Sequence, residues 1–226
     1  MKKTETEKIF GMTDRERAAC IVSALKEIYP QAVCALEYAS DPWKLLVQGR
    51  LSAQCTDKRV NIVSGPLFEK YPTAADMAEA DFDELAEIVR PCGLYRTKAQ
   101  NLIDASRMIC EKFGGELPHE MDELLSLPGV GRKIANLLRG DIFGLPAIVA
   151  DTHCIRISGK LGFYPEDQKD PVKTERILSE LIQPEEQSDF CHRIVMYGRD
   201  VCTARSPACD GCKLSSLCLH YAKRDK

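Results

Sequence analysis

A lysine, an aspartate and a crowd of cysteines are the residues best suited to chemistry in this chain of 226 residues. Lys133 follows the segment Leu127-Pro128-Gly129-Val130-Gly131-Arg132, which lies between two short stretches of helical periodicity. Gly129 and Gly131 can take backbone angles that side chains forbid, and their bareness admits another backbone closely. A helix opening at Arg132 points its free amides back into this turn. Such donors bind phosphate oxygens without reading base identity. Gly129, Val130, Gly131 and Arg132 are therefore candidate phosphate contacts, although a plain helix-turn-helix would carry the same pattern. On the following helix Ile134, Ala135, Leu137 and Leu138 form an apolar side, with Arg132, Asn136 and Arg139 opposite. Lys133 falls at the edge of that stripe. Partial desolvation there would favour a neutral, nucleophilic amine, while full exposure would suit a lysine paired with phosphate.

Val149-Ala150-Asp151-Thr152-His153 sets an acid directly after an extended apolar run. Asp151 is placed to open the next helix and cap its amides. Beside an amine nucleophile, the same carboxylate could stabilise a developing cation and assist proton transfer.

Cys202, Cys209, Cys212 and Cys218 are spaced C-x6-C-x2-C-x5-C, with Pro207, Asp210 and Gly211 between them to turn the chain. Thiolates converging from one short polar segment can hold either a [4Fe-4S] cluster or a tetrahedral zinc. Either would fix a loop that displays Arg205 and Lys213. The other seven of the eleven cysteines, Cys20, Cys34, Cys55, Cys92, Cys110, Cys154 and Cys191, are scattered singly and read as small buried apolar residues.

The elements that must position these groups are helical. Apolar residues recur at helical spacing, and no stretch alternates long enough for a sheet, so the chain reads as all-α. Helices are predicted over 15–28, 42–55, 81–89, 96–113, 120–125, 132–143 and 171–182. Ser40-Asp41-Pro42 supplies a cap and an early proline, and Gly114-Gly115 a stop. The net charge is −3, so any polyanion must be recognised locally. Six acids crowd 73–91, whereas seven bases lie against three acids from Arg193 to Lys226. No apolar run approaches the roughly 20 residues of a membrane span. Nor does the lysine-bearing start precede an apolar leader core, so a cytoplasmic location is expected.

The ordered set Leu51-Ser52-Ala53-Gln54, Leu127 to Lys133, Val149 to His153 and the cysteine tail resembles the endonuclease III family of the helix-hairpin-helix DNA glycosylase superfamily. The match runs from about Arg50 to Cys218. It implies an all-α, two-domain fold: a helical barrel over 35–145 with the helix-hairpin-helix, and a second domain of 1–34 with 146–226 carrying a C-terminal [4Fe-4S] cluster on the four cysteines. It also implies a base-excision-repair DNA glycosylase with AP-lyase activity on oxidised pyrimidines. Lys133 matches the nucleophile and Asp151 the essential carboxylate. Gln54 and Leu94 match residues that fill the gap left by a flipped nucleotide, and His153 a position near the DNA. Adenine-excising relatives lack the lysine. The implied partner is duplex DNA holding damaged pyrimidines or abasic sites, bound by a nucleoid-associated monomer with no membrane contact. Two other readings of the residues alone are a zinc-bearing DNA-binding module without catalysis and an electron carrier. A pure binding module needs neither Lys133 nor Asp151.

Overall fold

The computed structural model describes residues 11–224, and these form helices and short turns without a strand. The first ten residues, which carry the lysine-bearing start, lie outside the described part, as do Asp225 and Lys226 of the basic tail. The chain divides into two compact units: Cys34–Gly144, and the described residues of Met1–Val33 with those of Leu145–Lys226.

In the Cys34–Gly144 unit, helix α2 (Pro42–Leu51) opens as its sequence dictates, with Asp41 accepting from the Lys44 amide at 3.1 Å and proline in the first turn. (Helix α1, Asp14–Ile28, belongs to the other unit.) The predicted continuation of α2 to Cys55 is not observed, because Gln54 adopts φ +57 and turns the chain away. Helix α3 (Asp57–Lys70) is not expected from the sequence, since Gly65-Pro66 looks like a breaker. Both residues and Ile62 face outward, so the carbonyl that Pro66 leaves unpaired can be hydrated, while Val60, Val63 and Leu67 stay buried. Two short helices follow, α4 (Ala74–Ala78) and α5 (Phe82–Val89), then the long α6 (Tyr95–Phe113). Gly114, at φ +64, lets the Gly115 amide reach the Ile109 carbonyl at 3.0 Å and ends α6. Helices α7 (Met121–Ser126) and α8 (Arg132–Asp141) complete the unit. Leu45, Leu46, Leu51, Leu67, Met77 and Leu102 are fully buried, each worth roughly 1.5–3 kcal/mol of transfer free energy.

Helix α8 differs from the expected two-faced helix. Ile134 to Leu138 are all buried, Asn136 included, because α8 packs against both α2 and α7.

In the other unit, α1 carries a capping box between Thr13 and Glu16. Its Ala18, Ile21 and Leu25 are buried together with Arg17. The Arg17 guanidinium donates to the Leu161 carbonyl, to the Gly162 carbonyl at 3.1 Å and to Asp14 at 2.6 Å. It thereby fastens the N-terminal helix to the end of α9 (Thr152–Leu161). Helices α10 (Pro171–Leu181), α11 (Gln187–Asp200) and α12 (Leu219–Ala222) follow. Arg193 is buried between Glu186 at 3.0 Å and Asp189 at 2.6 Å.

The scattered cysteines are not uniformly core residues. Cys92, Cys154 and Cys191 are buried, whereas Cys34, Cys55 and Cys110 are half-buried and Cys20 is exposed. Helical phase explains Cys20, which α1 turns away from its Ala18, Ile21 and Leu25 face.

Candidate functional site

In the Cys34–Gly144 unit, Leu127 and Val130 are buried anchors on either side of an exposed turn. The Val130 amide donates to the Leu127 carbonyl at 3.1 Å. Gly129 sits at φ +79, and a Cβ there would lie 2.6 Å from Arg50 Nε and 2.8 Å from Asn101 Oδ1. Arg50 is itself held by Asn101, whose Oδ1 accepts from Nε at 3.0 Å and Nη2 at 2.8 Å. The turn is thus glycine-dependent on two counts, backbone angle and the side-chain pair beneath it. Gly131 is the N-cap of α8, with no side chain bonding back to the first-turn amides. Gly129, Gly131, Arg132 and Lys133 are exposed together, so this surface offers backbone donors, a guanidinium and a primary amine side by side.

Lys133 departs from the expected half-desolvated position. It is exposed on the first turn of α8, and Ile134 rather than Lys133 begins the buried stretch.

Two further turns in the same unit share an unusual backbone. Gln54 and Leu94 are exposed and lie in the left-handed region, at φ +57 and +49. Leu94 is 58% exposed, which excludes an ordinary core role for it. It also opens α6 without any side-chain cap. Beneath both turns lies Lys98, a fully buried residue that no sequence motif singles out. Only its position on the α6 stripe could have flagged it.

In the other unit, Asp151 is the N-cap of α9, and its Oδ1 accepts from the Cys154 amide at 2.7 Å. Its own amide donates to the Val149 carbonyl at 2.8 Å. His153, half-buried, lies against Gly198 of α11, where a Cβ would come within 2.4 Å of Nδ1. Arg156 Nη2 is 3.4 Å from the same ring nitrogen. The imidazole thus touches both α9 and α11 while staying half-exposed.

Cys202, Cys209, Cys212 and Cys218 are unpaired thiols that line one opening of about 420 Å³, shared with the solvent. Among the described residues no three histidine, cysteine or acidic side chains close on a point that would hold a single ion. The four cysteines nevertheless line one opening together, and a set of four thiolates is the donor chemistry of an iron–sulfur cluster or a zinc ion. Tyr197 Oη stands 2.6 Å from Cys212 Sγ, and Arg156 Nη1 donates to the Cys202 carbonyl at 2.6 Å with Cys202 Sγ at 3.8 Å. Burial pushes the Cys202 thiol up against the pull of Arg156, and carries Cys218 up to about 11. A cationic group seated among the sulfurs reverses that balance, because ligating thiols are deprotonated.

Comparison with known proteins bears on both regions. Residues 47–184 match the model of the HhH-GPD superfamily base excision DNA repair proteins. Residues 202–218 match the iron-sulfur binding domain of endonuclease III. The chain is similar to endonuclease III of Synechocystis, with 44% identity over 205 residues, covering 90% of this chain and 92% of that protein. It is also similar to a solved non-covalent endonuclease III–DNA complex, at TM-score 0.88 and 41% identity, covering 95% and 99% of the two chains. A trapped endonuclease III–DNA covalent intermediate gives TM-score 0.88 and 40% identity, covering 95% and 100%. No helix among the described residues is long and apolar enough to cross a membrane.

Proposed function

The chain belongs to the HhH-GPD superfamily of base excision DNA repair proteins, and to the endonuclease III family within it; from that membership we propose the following chemistry for its own residues. It is a DNA glycosylase with AP-lyase activity, acting on oxidised pyrimidines in duplex DNA. The Gly129–Arg132 turn takes phosphate oxygens through the uncapped amides of α8, a contact blind to sequence. The target nucleotide leaves the stack, as enzymes working on bases require, and Gln54 and Leu94 enter the vacated step. An apolar wedge such as Leu94 replaces the lost stacking on one side.

The Lys133 amine then attacks the sugar C1′, and the bond to the base breaks with its electron pair leaving on the base. Loss of the nitrogen proton and opening of the sugar ring give the Schiff base. Removal of a C2′ proton expels the 3′ phosphate oxygen and nicks the strand. Asp151 offsets the positive charge that builds at C1′ and on the amine, and assists these proton movements. Its Oδ1 already serves the α9 cap, so the carboxylate keeps one orientation.

Cys202, Cys209, Cys212 and Cys218 hold the [4Fe-4S] cluster, which when bound rigidifies the C-terminal loop and stores folding energy. The enzyme works as a cytoplasmic, nucleoid-associated monomer. The observation that carries the reading is the exposed Lys133 amine on the first turn of a helix that begins in an open glycine turn. Borohydride reduction on an oligonucleotide with one thymine glycol tests it. Wild-type protein should be fixed to the strand and Lys133→Gln should not; equal trapping of both sinks the assignment.

A further inference from the structure

Lys98 is the least conventional polar residue of the Cys34–Gly144 unit, because a lysine with no solvent exposure at all normally needs a carboxylate partner. Here the Nζ donates to three main-chain carbonyls: Leu51 at 2.8 Å, Ala53 at 2.8 Å and Cys92 at 2.9 Å. Three bonds use all the protons that an ammonium has, and a neutral amine could not make them. Desolvation pulls this amine below the ordinary lysine range, with the Cys55 and Cys92 thiols next to it.

The identity of the three acceptors matters more than their number. Leu51 ends α2 and Ala53 immediately precedes Gln54, while Cys92 ends the short turn from Arg90 that runs into Gly93 and Leu94. The acceptors therefore come from two chain segments far apart in sequence, each leading directly into a non-glycine residue at positive φ. Left-handed backbone at glutamine and leucine is unfavourable and persists only where the surroundings over-determine it. Lys98 supplies such a determinant for both turns from one nitrogen atom, and α6 supports that nitrogen. The α6 backbone joins the same arrangement, since the Lys98 amide donates to the Leu94 carbonyl at 3.0 Å.

We propose that Lys98 is a positioning residue that yokes the Gln54 and Leu94 turns, so that both side chains enter the duplex as one preset unit when a nucleotide is extruded. This rests on the reading above in which Gln54 and Leu94 fill the gap. Lys98 touches neither DNA nor the reacting atoms. It acts through the two turns, and its effect falls on the unstacking step rather than on Lys133 chemistry.

The test uses the full-length, cluster-containing protein. In single turnovers on a duplex with 2-aminopurine beside a thymine glycol, Lys98→Met should slow both the fluorescence rise and base excision by about tenfold or more. Borohydride trapping on a preformed abasic site, where no base must be unstacked, should change far less. Equal loss in both assays would mean a merely structural residue, and no loss in either would mean no role; each overturns the proposal. Added to the Gln54→Ala/Leu94→Ala pair, Lys98→Met should cost little more, and a fully additive loss would place its action elsewhere. Should Lys98→Met fail to fold, hydrogen exchange on wild-type protein decides: amides of 51–55 and 92–95 should open together, and independent opening refutes the yoke. The underlying reading fails separately, if Gln54→Ala and Leu94→Ala excise at the wild-type rate.

Discussion

The glycine turn at Gly129–Gly131 and the cysteine loop at Cys202–Cys218 are both short connections that must hold one shape, and they achieve it by opposite means. The first is stapled by the chain itself: buried Leu127 and Val130 pin its ends, and the Arg50–Asn101 pair fills the space under Gly129. The second has short turns around Cys209–Gly211 and Ser215–Leu217, neither with a side-chain cap, and buried Leu214 with the Arg156 and Tyr197 contacts as its protein anchors. Its sulfurs face a common opening rather than a packed interior. A loop built from local contacts folds with its unit. A loop built from ligands depends on the group they hold, since an unfolded segment has no preformed site.

Four perturbations break or sharpen that contrast. Lys133→Gln should remove strand cleavage by on the order of a thousandfold or more, as loss of a nucleophile does, while thermal unfolding moves by less than about 0.5 kcal/mol because the residue is exposed. A large stability change would show that the turn is less self-sufficient than its packing indicates. Asp151→Asn keeps a capping oxygen and removes the charge, whereas Asp151→Ala removes both. Excision should fall by ~10²–10⁴ in each, but only the alanine should also lose the 0.5–2 kcal/mol or so of the cap. Equal stability of the two variants would detach the carboxylate from the cap.

Cys212→Ser, or removal of iron by a chelator, should raise hydrogen exchange throughout 202–218 and lower the melting temperature of the unit that holds that loop. Amides of α2, α6 and α8 should keep their protection; a matching loss there would end the distinction between self-stapled and ligand-stapled regions. Gly129→Ala should act on stability rather than on the chemistry, costing about 1–3 kcal/mol from its positive φ and the close Arg50 side chain. DNA affinity should weaken, and its dependence on salt should flatten in proportion to the phosphates that the turn no longer neutralises.

Much of the fold was legible because its signals are local. Asp41-Pro42 and Gly114-Gly115 mark helix ends through capping, which needs only neighbouring residues. Asp151 as the start of α9 was readable for the same reason. Helix α3 was not, because Pro66 breaks helices by sequence rule alone, and only the outward-facing side of α3 makes it tolerable. The exposed Lys133 and the buried Asn136 exchanged their expected environments. Periodicity describes one apolar face, and α8 is buried by α2 and α7 together. No sequence motif announced Lys98, whose three partners lie on two segments distant in sequence.

What sequence alone determined is therefore the inventory and its short-range grammar: the helical periodicity, the caps, the glycine turn and the spacing of four thiols. Each depends on interactions within a few residues, which the order of the chain already contains. Tertiary structure decided which of these groups meet water and which carry strain. The left-handed turns at Gln54 and Leu94 and the saturated ammonium beneath them arise from distant segments brought together. Burial and satisfaction of polar groups are properties of that packing, and no local pattern encodes them.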